Sequence, residues 1–186
     1  MIKPAHLAHV VMRTSNYQSM LDWYKALLSA ELTFGNEIVS FLTYDEEHHR
    51  IALINIPGLK KPEPGTQGFD HCAFTYASLN DLLSNYTRLK TEHGIEPFWC
   101  INHGPTTSMY YRDPDGNQVE LQVDNFPTVE EATKFFYTDE FAENPIGVDF
   151  DPEDLMRRLE AGESEEELKR RPNIGPRGMG DDVPLQ

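Results

Sequence analysis

Shifting the chain by 62 positions against itself brings His9 onto His71, Tyr17 onto Leu79, Met20 onto Leu82, Leu21 onto Leu83, Tyr24 onto Tyr86 and Leu27 onto Leu89. Self-similarity at a fixed offset means one structural unit used twice, and it limits the fold more than any single motif. The matched apolar positions recur at three- and four-residue steps, the period of a helix with one buried face. Each copy reads as a strand, an amphipathic helix and further strands. The first helix opens after Ser15 and Asn16, both good N-caps, and the second at Ser78 with Asp81 three residues on, a capping-box pattern. Strand-like runs follow near Glu37–Tyr44, Arg50–Ile56, Phe98–Ile101, Ser108–Arg112 and Gln118–Val123.

Gly58 to Gly68, with Pro57, Pro62, Pro64 and three glycines, reads as the linker between the copies. Asp113-Pro114-Asp115-Gly116-Asn117 reads as a turn between the last two strands, with Gly116 free to take positive φ. The expectation is an α+β fold of two βαβββ modules, 1–58 and 66–124, in one domain spanning 1–124. An acidic helical extension over 125–186 follows.

Three residues far apart have the surroundings of metal ligands: His9 in His-Leu-Ala-His-Val-Val-Met, His71 in Gly-Phe-Asp-His-Cys-Ala-Phe, and Glu120 in Asp-Pro-Asp-Gly-Asn-Gln-Val-Glu-Leu. Alternation in a strand sends neighbouring side chains to opposite faces. Gln118, Glu120 and Gln122 then share one face while Val119, Leu121 and Val123 share the other. His71 and Thr75 likewise oppose Cys72, Phe74 and Tyr76. Two imidazoles and a carboxylate make a facial triad that leaves one side of a divalent metal open, which suits non-heme Fe(II). Structural zinc prefers a closed shell rich in thiolates.

A His at 103, the pair Met109-Tyr110, Asp113-Pro114-Asp115-Gly116 and Glu120 together resemble the signature of type I extradiol ring-cleavage dioxygenases. Glu47-His48-His49-Arg50-Ile51-Ala52-Leu53 resembles the His-His-x-x-Ala segment that holds the acid–base histidine in catechol-type members. The paired modules, with a ligand on the first strand of each and a third on the last strand, resemble the vicinal oxygen chelate superfamily, whose sheets curl into a cup around the metal. The resemblance covers residues 5–124.

It implies His9, His71 and Glu120 as ligands of Fe(II), with Mn(II) as the other candidate. His49 would be the acid–base residue, and His103 and Tyr110 donors that stabilise a developing oxyanion. His48, adjacent to His49, is expected to point the other way. The implied substrates are a catechol-type compound and O2, with Phe69, Phe98, Trp99 and Phe126 as apolar walls that favour an aryl-substituted ring, and the implied setting is aromatic compound catabolism. The same fold also serves glyoxalase- or epimerase-like lyases and isomerases, which need a second carboxylate ligand, and proteins that sequester aromatic compounds without catalysis.

At 186 residues and 39% hydrophobic, the chain suits a domain with a sizeable core. It has no leading apolar stretch and no run of about 20 apolar residues, so no membrane span is expected. A net charge of −15 argues against nucleic acid and anionic membranes. The two cysteines, Cys72 and Cys100, are expected as buried reduced thiols, consistent with a cytoplasmic location.

The acidity is concentrated late: residues 1–123 hold 14 acidic and 9 basic side chains, and residues 124–186 hold 17 and 7. This second part lies beyond the two-module pattern. Helix starts are expected at Thr128-Val129-Glu130-Glu131, Asp151-Pro152-Glu153-Asp154 and Ser164-Glu165-Glu166-Glu167-Leu168, the last ending in Lys169-Arg170-Arg171 as the helix dipole favours. Its charge runs read as solvated faces, and Pro172 to Gln186 as an extended tail. Phe135, Phe136, Phe141, Ile146, Val148 and Phe150 are too many apolar groups to leave in water. The arm must therefore cover its own cup or a neighbouring subunit, and a homo-oligomer is expected.

Overall fold

A computed structural model describes residues 1–61, 63 and 66–180. Pro62, Pro64 and Gly65 of the expected linker, and 181–186 of the expected tail, lie outside the described residues. The chain divides into two compact units, Met1–Gln67 with Asp113–Asn117, and Gly68–Arg112 with the chain from Gln118 onward. The segment expected as a separate extension from 125 is thus part of the second unit.

The first unit holds β1 (Val10–Thr14), α1 (Tyr17–Leu28), β2 (Glu31–Gly35), β3 (Val39–Thr43) and β4 (Ile51–Asn55), with sheet order β1-β4-β3-β2. β1 runs parallel to β4, and the other pairs are antiparallel. Ile51, Ala52 and Leu53 are buried in succession because β4 sits inside the sheet. Met20, Tyr24 and Leu27 form the buried stripe of α1. Asn16 stands at the helix N-cap, but its side chain makes no capping bond and donates instead to Asp115, at 2.6 Å.

β2 was not anticipated from the sequence. All five of its residues are exposed at the sheet edge, so Leu32 and Phe34 carry no burial pattern to announce it. Its register shifts between Leu32 and Phe34, and the Thr33 hydroxyl there donates to the carbonyls of Phe41 and His48.

The second unit repeats the order with β5 (His71–Tyr76), α2 (Leu79–Arg88), a wider π-type turn over Leu89–His93, β6 (Trp99–Asn102), β7 (Thr106–Arg112) and β8 (Gln118–Asp124). Helices α1 and α2 both begin at the positions the 62-residue offset equates, Tyr17 and Leu79. Ser78 caps α2 by accepting from the Asp81 amide at 3.0 Å. Leu79, Leu82, Leu83 and Tyr86 are buried along α2, and Val119, Leu121 and Val123 are the buried apolar residues of β8.

The arm continues this unit through α3 (Val129–Phe135), α4 (Asp139–Glu143), β9 (Val148–Asp149), α5 (Pro152–Glu160) and α6 (Glu165–Lys169). Thr128, Asp151 and Ser164 cap α3, α5 and α6 as their sequence signals imply. The arm adds α4 and β9, which were not expected. β9 extends the second sheet to the order β5-β8-β7-β6-β9. The Glu165 carboxylate accepts from the free amides of Leu79 and Asn80 at the start of α2, where unpaired N–H groups and the helix dipole favour an anion. Phe135 and Ile146 are buried. The arm therefore covers its own second module.

Candidate active site

Strand register decides which side chains meet in the second unit. Glu120 on β8 lies opposite Ala73 of β5 and Tyr110 of β7, and Tyr110 lies opposite Trp99 of β6. Residues in register share a face, and His71, two positions before Ala73, shares it as well.

His71 Nε2 is 3.1 Å from Glu120 Oε2, and its Nδ1 bonds the Asp70 carboxylate. The Glu120 bond, reinforced by Asp70 and opposed by burial, raises the His71 pKa to about 9. Glu120 is only 5% exposed. Burial pushes its carboxyl upward, but bonds from His71 and Ser108 outweigh that and hold it below its ordinary value. An imidazole nitrogen and a buried carboxylate facing each other are donors that suit a divalent cation. Asp70 sets which ring nitrogen of His71 is left for it. Neither Asp70 nor Ser108 was singled out from the sequence, though Asp70 is the immediate neighbour of a proposed ligand.

Tyr110 joins this pair to His103. Its hydroxyl is 3.0 Å from His103 Nε2, and the residue stands in register with Glu120. Burial, then the Glu120 charge, raises the phenol pKa, so Tyr110 keeps its hydrogen. Burial lowers the His103 pKa, and its Nδ1 bonds the backbone carbonyl of Ile146. A carbonyl only accepts, so Nδ1 carries the single hydrogen of the neutral ring and Nε2 accepts from Tyr110. The one N–H of His103 is thus committed to Ile146 and the one hydrogen of Tyr110 to His103.

Trp99 stacks on Tyr110 at 5.1 Å between centroids, with Phe98 packed against the same cluster of Ile101, Tyr110 and Ile146. The Trp99 indole N–H donates to Asp149 at 2.9 Å. Phe126 packs instead against Phe135 of the arm, and Phe69 is 77% exposed.

In the first unit His9 immediately precedes β1 and is exposed, not within a strand. Its ring centroid is 4.4 Å from that of His49, which also stacks on Phe41. Burial lowers the His49 pKa, and the neighbouring His9 and His48 add to the effect. His48 and His49 lie in the loop before β4. The strand alternation expected to separate them does not apply there, and their Nδ1 atoms are 2.5 Å apart. Of the three expected ligands, His71 and Glu120 meet in the second unit, while His9 belongs to the first. Among the described residues no group of three or more His, Cys, Asp and Glu side chains stands as a metal-binding cluster.

Residues 6–121 match the model of the Glyoxalase/Bleomycin resistance protein/Dioxygenase superfamily. The chain belongs to this superfamily. Within the superfamily it is 49% identical over 156 residues to biphenyl-2,3-diol 1,2-dioxygenase 2 of Rhodococcus globerulus, covering 83% of this chain and 82% of that one. Biphenyl-2,3-diol 1,2-dioxygenase 3 of the same organism is 47% identical over 167 residues, covering 89% and 87%. A solved glyoxalase/bleomycin resistance protein/dioxygenase domain from Frankia sp. EAN1pec superposes with a TM-score of 0.54 at 19% identity over 66% of this chain and 99% of that one, a likeness of fold alone.

The repeat places one superfamily alternative at a disadvantage. Glu120 is in register with Ala73, the offset equates Ala73 with Val11, and Val11 is in register with Ala52. The first unit therefore has alanine at the position where the second has its carboxylate. Neither cysteine is in a disulfide, and both are half-buried, in β5 and β6. Among the described residues no helix is long and apolar enough to cross a membrane.

Proposed function

We propose that this chain is an extradiol dioxygenase that opens a catechol-type ring with O2 at a mononuclear metal held by His9, His71 and Glu120. The observation that carries the reading is that Glu120 meets His71 and stands in register with Tyr110, whose hydroxyl bonds His103. The identity to two biphenyl-2,3-diol dioxygenases supports it. The metal is Fe(II), with Mn(II) the other candidate, and it supplies one centre at which the substrate oxygens and O2 are brought together.

The protein residues divide the remaining work. His49, held neutral by burial and its histidine neighbours, has a lone pair ready for a catechol hydroxyl proton at neutral pH. Tyr110 keeps its hydroxyl hydrogen, which rests on His103 and turns from there to oxygen that gains charge as the ring opens. Trp99 and Phe98 offer aromatic surface beside Tyr110, consistent with an aryl-substituted catechol. Phe69 and Phe126 complete the proposed apolar set. The setting is catabolism of aromatic compounds, and Cys72 and Cys100, neither of them in a disulfide, suit a reducing cytoplasm. The assembly is a homo-oligomer, for which exposed Phe136 and Tyr137 on the arm are candidate contacts.

The test is anaerobic loading with Fe(II), admission of O2 over a panel of catechols, and detection of yellow ring-cleavage product. A 3-aryl catechol is expected to show the higher kcat/KM. Full metal loading with no oxygen uptake on any catechol would overturn the reading.

A further inference from the structure

We propose that the C-terminal arm is part of the active site, where Arg171 and the Asn144–Gly147 turn act as positioning residues that hold the Ile146 carbonyl against His103 and so make its Nε2 a hydrogen-bond acceptor. The proposal rests on the dioxygenase reading for its catalytic consequence, but not for its geometry. Three observations converge on the Ile146 carbonyl.

The first is the turn itself. Buried Asn144 accepts from the amides of Ile146 and Gly147 at 3.1 and 2.7 Å, and its side-chain amide donates to the Gly147 carbonyl at 3.0 Å. One side chain thus ties both peptides that flank the Ile146 carbonyl, leaving that oxygen directed at His103.

The second is how closely the turn lies on the His103 segment. Gly147 has φ +125, and a Cβ there would stand 2.4 Å from the Asn102 carbonyl oxygen and 2.9 Å from His103 Cα. Glycine is required both by the backbone angle and by the approach.

The third is Arg171. Its side chain is only 2% exposed although it ends a basic run that the sequence presents as a solvated helix terminus. Helix α6 stops at Lys169, and Arg171 turns inward. Its Nη1 donates to the carbonyls of His103 and Asn144 at 3.2 and 2.8 Å. Its Nη2 and Nε donate to the Glu140 carbonyl and carboxylate, both at 3.1 Å, and the guanidinium lies over the Phe135 ring. A buried guanidinium needs its donors matched, and these partners join the backbone on both sides of the His103–Ile146 bond.

With Nδ1–H bound to Ile146, His103 receives the Tyr110 hydroxyl at Nε2 and fixes where that phenol points beside Glu120. In ring cleavage His103 accordingly starts as the acceptor that holds the Tyr110 hydrogen in place. Loosening the turn frees the ring to take the other tautomer and to release Tyr110.

The experiment combines long-range 15N–1H correlation of histidine-labelled full-length protein with steady-state kinetics of the metal-loaded enzyme. Wild type should show His103 protonated at Nδ1 alone. Arg171→Met should give a mixture of tautomers and a kcat lower by about tenfold, the equivalent of one misplaced hydrogen bond, with KM changed less than about twofold. Gly147→Ala, which must push the turn off His103, should act in the same direction. Arg158→Met, on the same arm but paired with Glu163 and partly exposed, should leave both readouts at wild-type values. An Nε2–H tautomer in the wild-type spectrum overturns the proposal without any variant, as do unchanged tautomer and kcat in folded Arg171→Met. If wild type has the expected tautomer but cleaves no catechol, the dioxygenase reading fails and the positioning geometry stands.

Discussion

The Tyr24 hydroxyl donates to the Asp113 carboxylate at 3.1 Å, joining the buried face of α1 to the turn that carries Asp-Pro-x-Gly. Asp113 also accepts from the amides of Asp115 and Asn117 and from the Asn117 side chain. The aspartate that helps mark the chain as a ring-cleavage enzyme is therefore a buried turn staple, and Gly116 at φ 94 completes the turn.

Replacing Asp113 with alanine leaves the buried Tyr24 hydroxyl and three part-buried turn donors without their acceptor. The expected loss is about 3 kcal/mol, from the usual cost of an unpaired buried donor. Tyr24→Phe removes the bond to Asp113 and the contact with Met12 Sδ, and should cost about 1 kcal/mol. Shifts in denaturant midpoint at constant slope measure both, and an unchanged midpoint for Asp113→Ala would contradict the staple.

The proposed ligands make a prediction that does not depend on turnover. Glu120→Ala and His71→Ala should each abolish stoichiometric Fe(II) retention after gel filtration. Wild-type metal content in folded Glu120→Ala would remove the carboxylate from the ligand set.

His49→Phe should keep the metal and lose about 10²–10⁴-fold in kcat, the usual contribution of general acid–base catalysis. His48 was expected to matter little because it would point away. Its Nδ1 contact with His49 changes that. With its side chain 73% exposed, His48→Phe should still lower kcat by only several-fold, through the ring it touches. Equal losses from the two substitutions would mean that the acid–base assignment is wrong.

Ending the chain at Phe126 removes β9 from the edge of β6, the Glu165 carboxylate from the start of α2 and the Ile146 carbonyl from His103. An exposed strand edge and exposed Leu79-side helix amides favour aggregation. The expected product is insoluble or inactive on light scattering and oxygen-uptake assays. A soluble, fully active truncated protein is the contrary result.

Alkaline pH should unfold the protein through groups held neutral by burial. Burial raises Cys100 and Tyr76 to about 12 each and moves Tyr111 upward as well. The unfolded chain ionises first, at the ordinary thiol and phenol values, so it binds fewer protons than the native state above that pH and stability falls as pH rises. Each such group removes about 1.4 kcal/mol per pH unit between its unfolded and folded values. Denaturant midpoints should therefore decline between about pH 9 and 12, and Cys100→Ala should delay the onset. A flat profile over that range would contradict burial as the cause.

What the sequence by itself determined is local or repeated: the 62-residue offset, the two helices starting at Tyr17 and Leu79, the Ser78 cap, the face of β8 that carries Glu120, and the turn at Gly116. Each follows from side-chain periodicity or from a residue whose own conformational preference marks its place. The edge strand β2 escaped because nothing covers it, and the His48–His49 contact because a loop replaces the strand whose alternation would have parted them. Only the tertiary structure decided that basic Arg171 turns inward and that Ile146 reaches His103. A buried charge is tolerated only where distant carbonyls and a carboxylate meet it, which no run of neighbouring residues reveals. The group that sets the His103 ring is a backbone carbonyl 43 residues away. Every residue carries such a carbonyl, so it has no signature in sequence, and packing alone selects the one that acts.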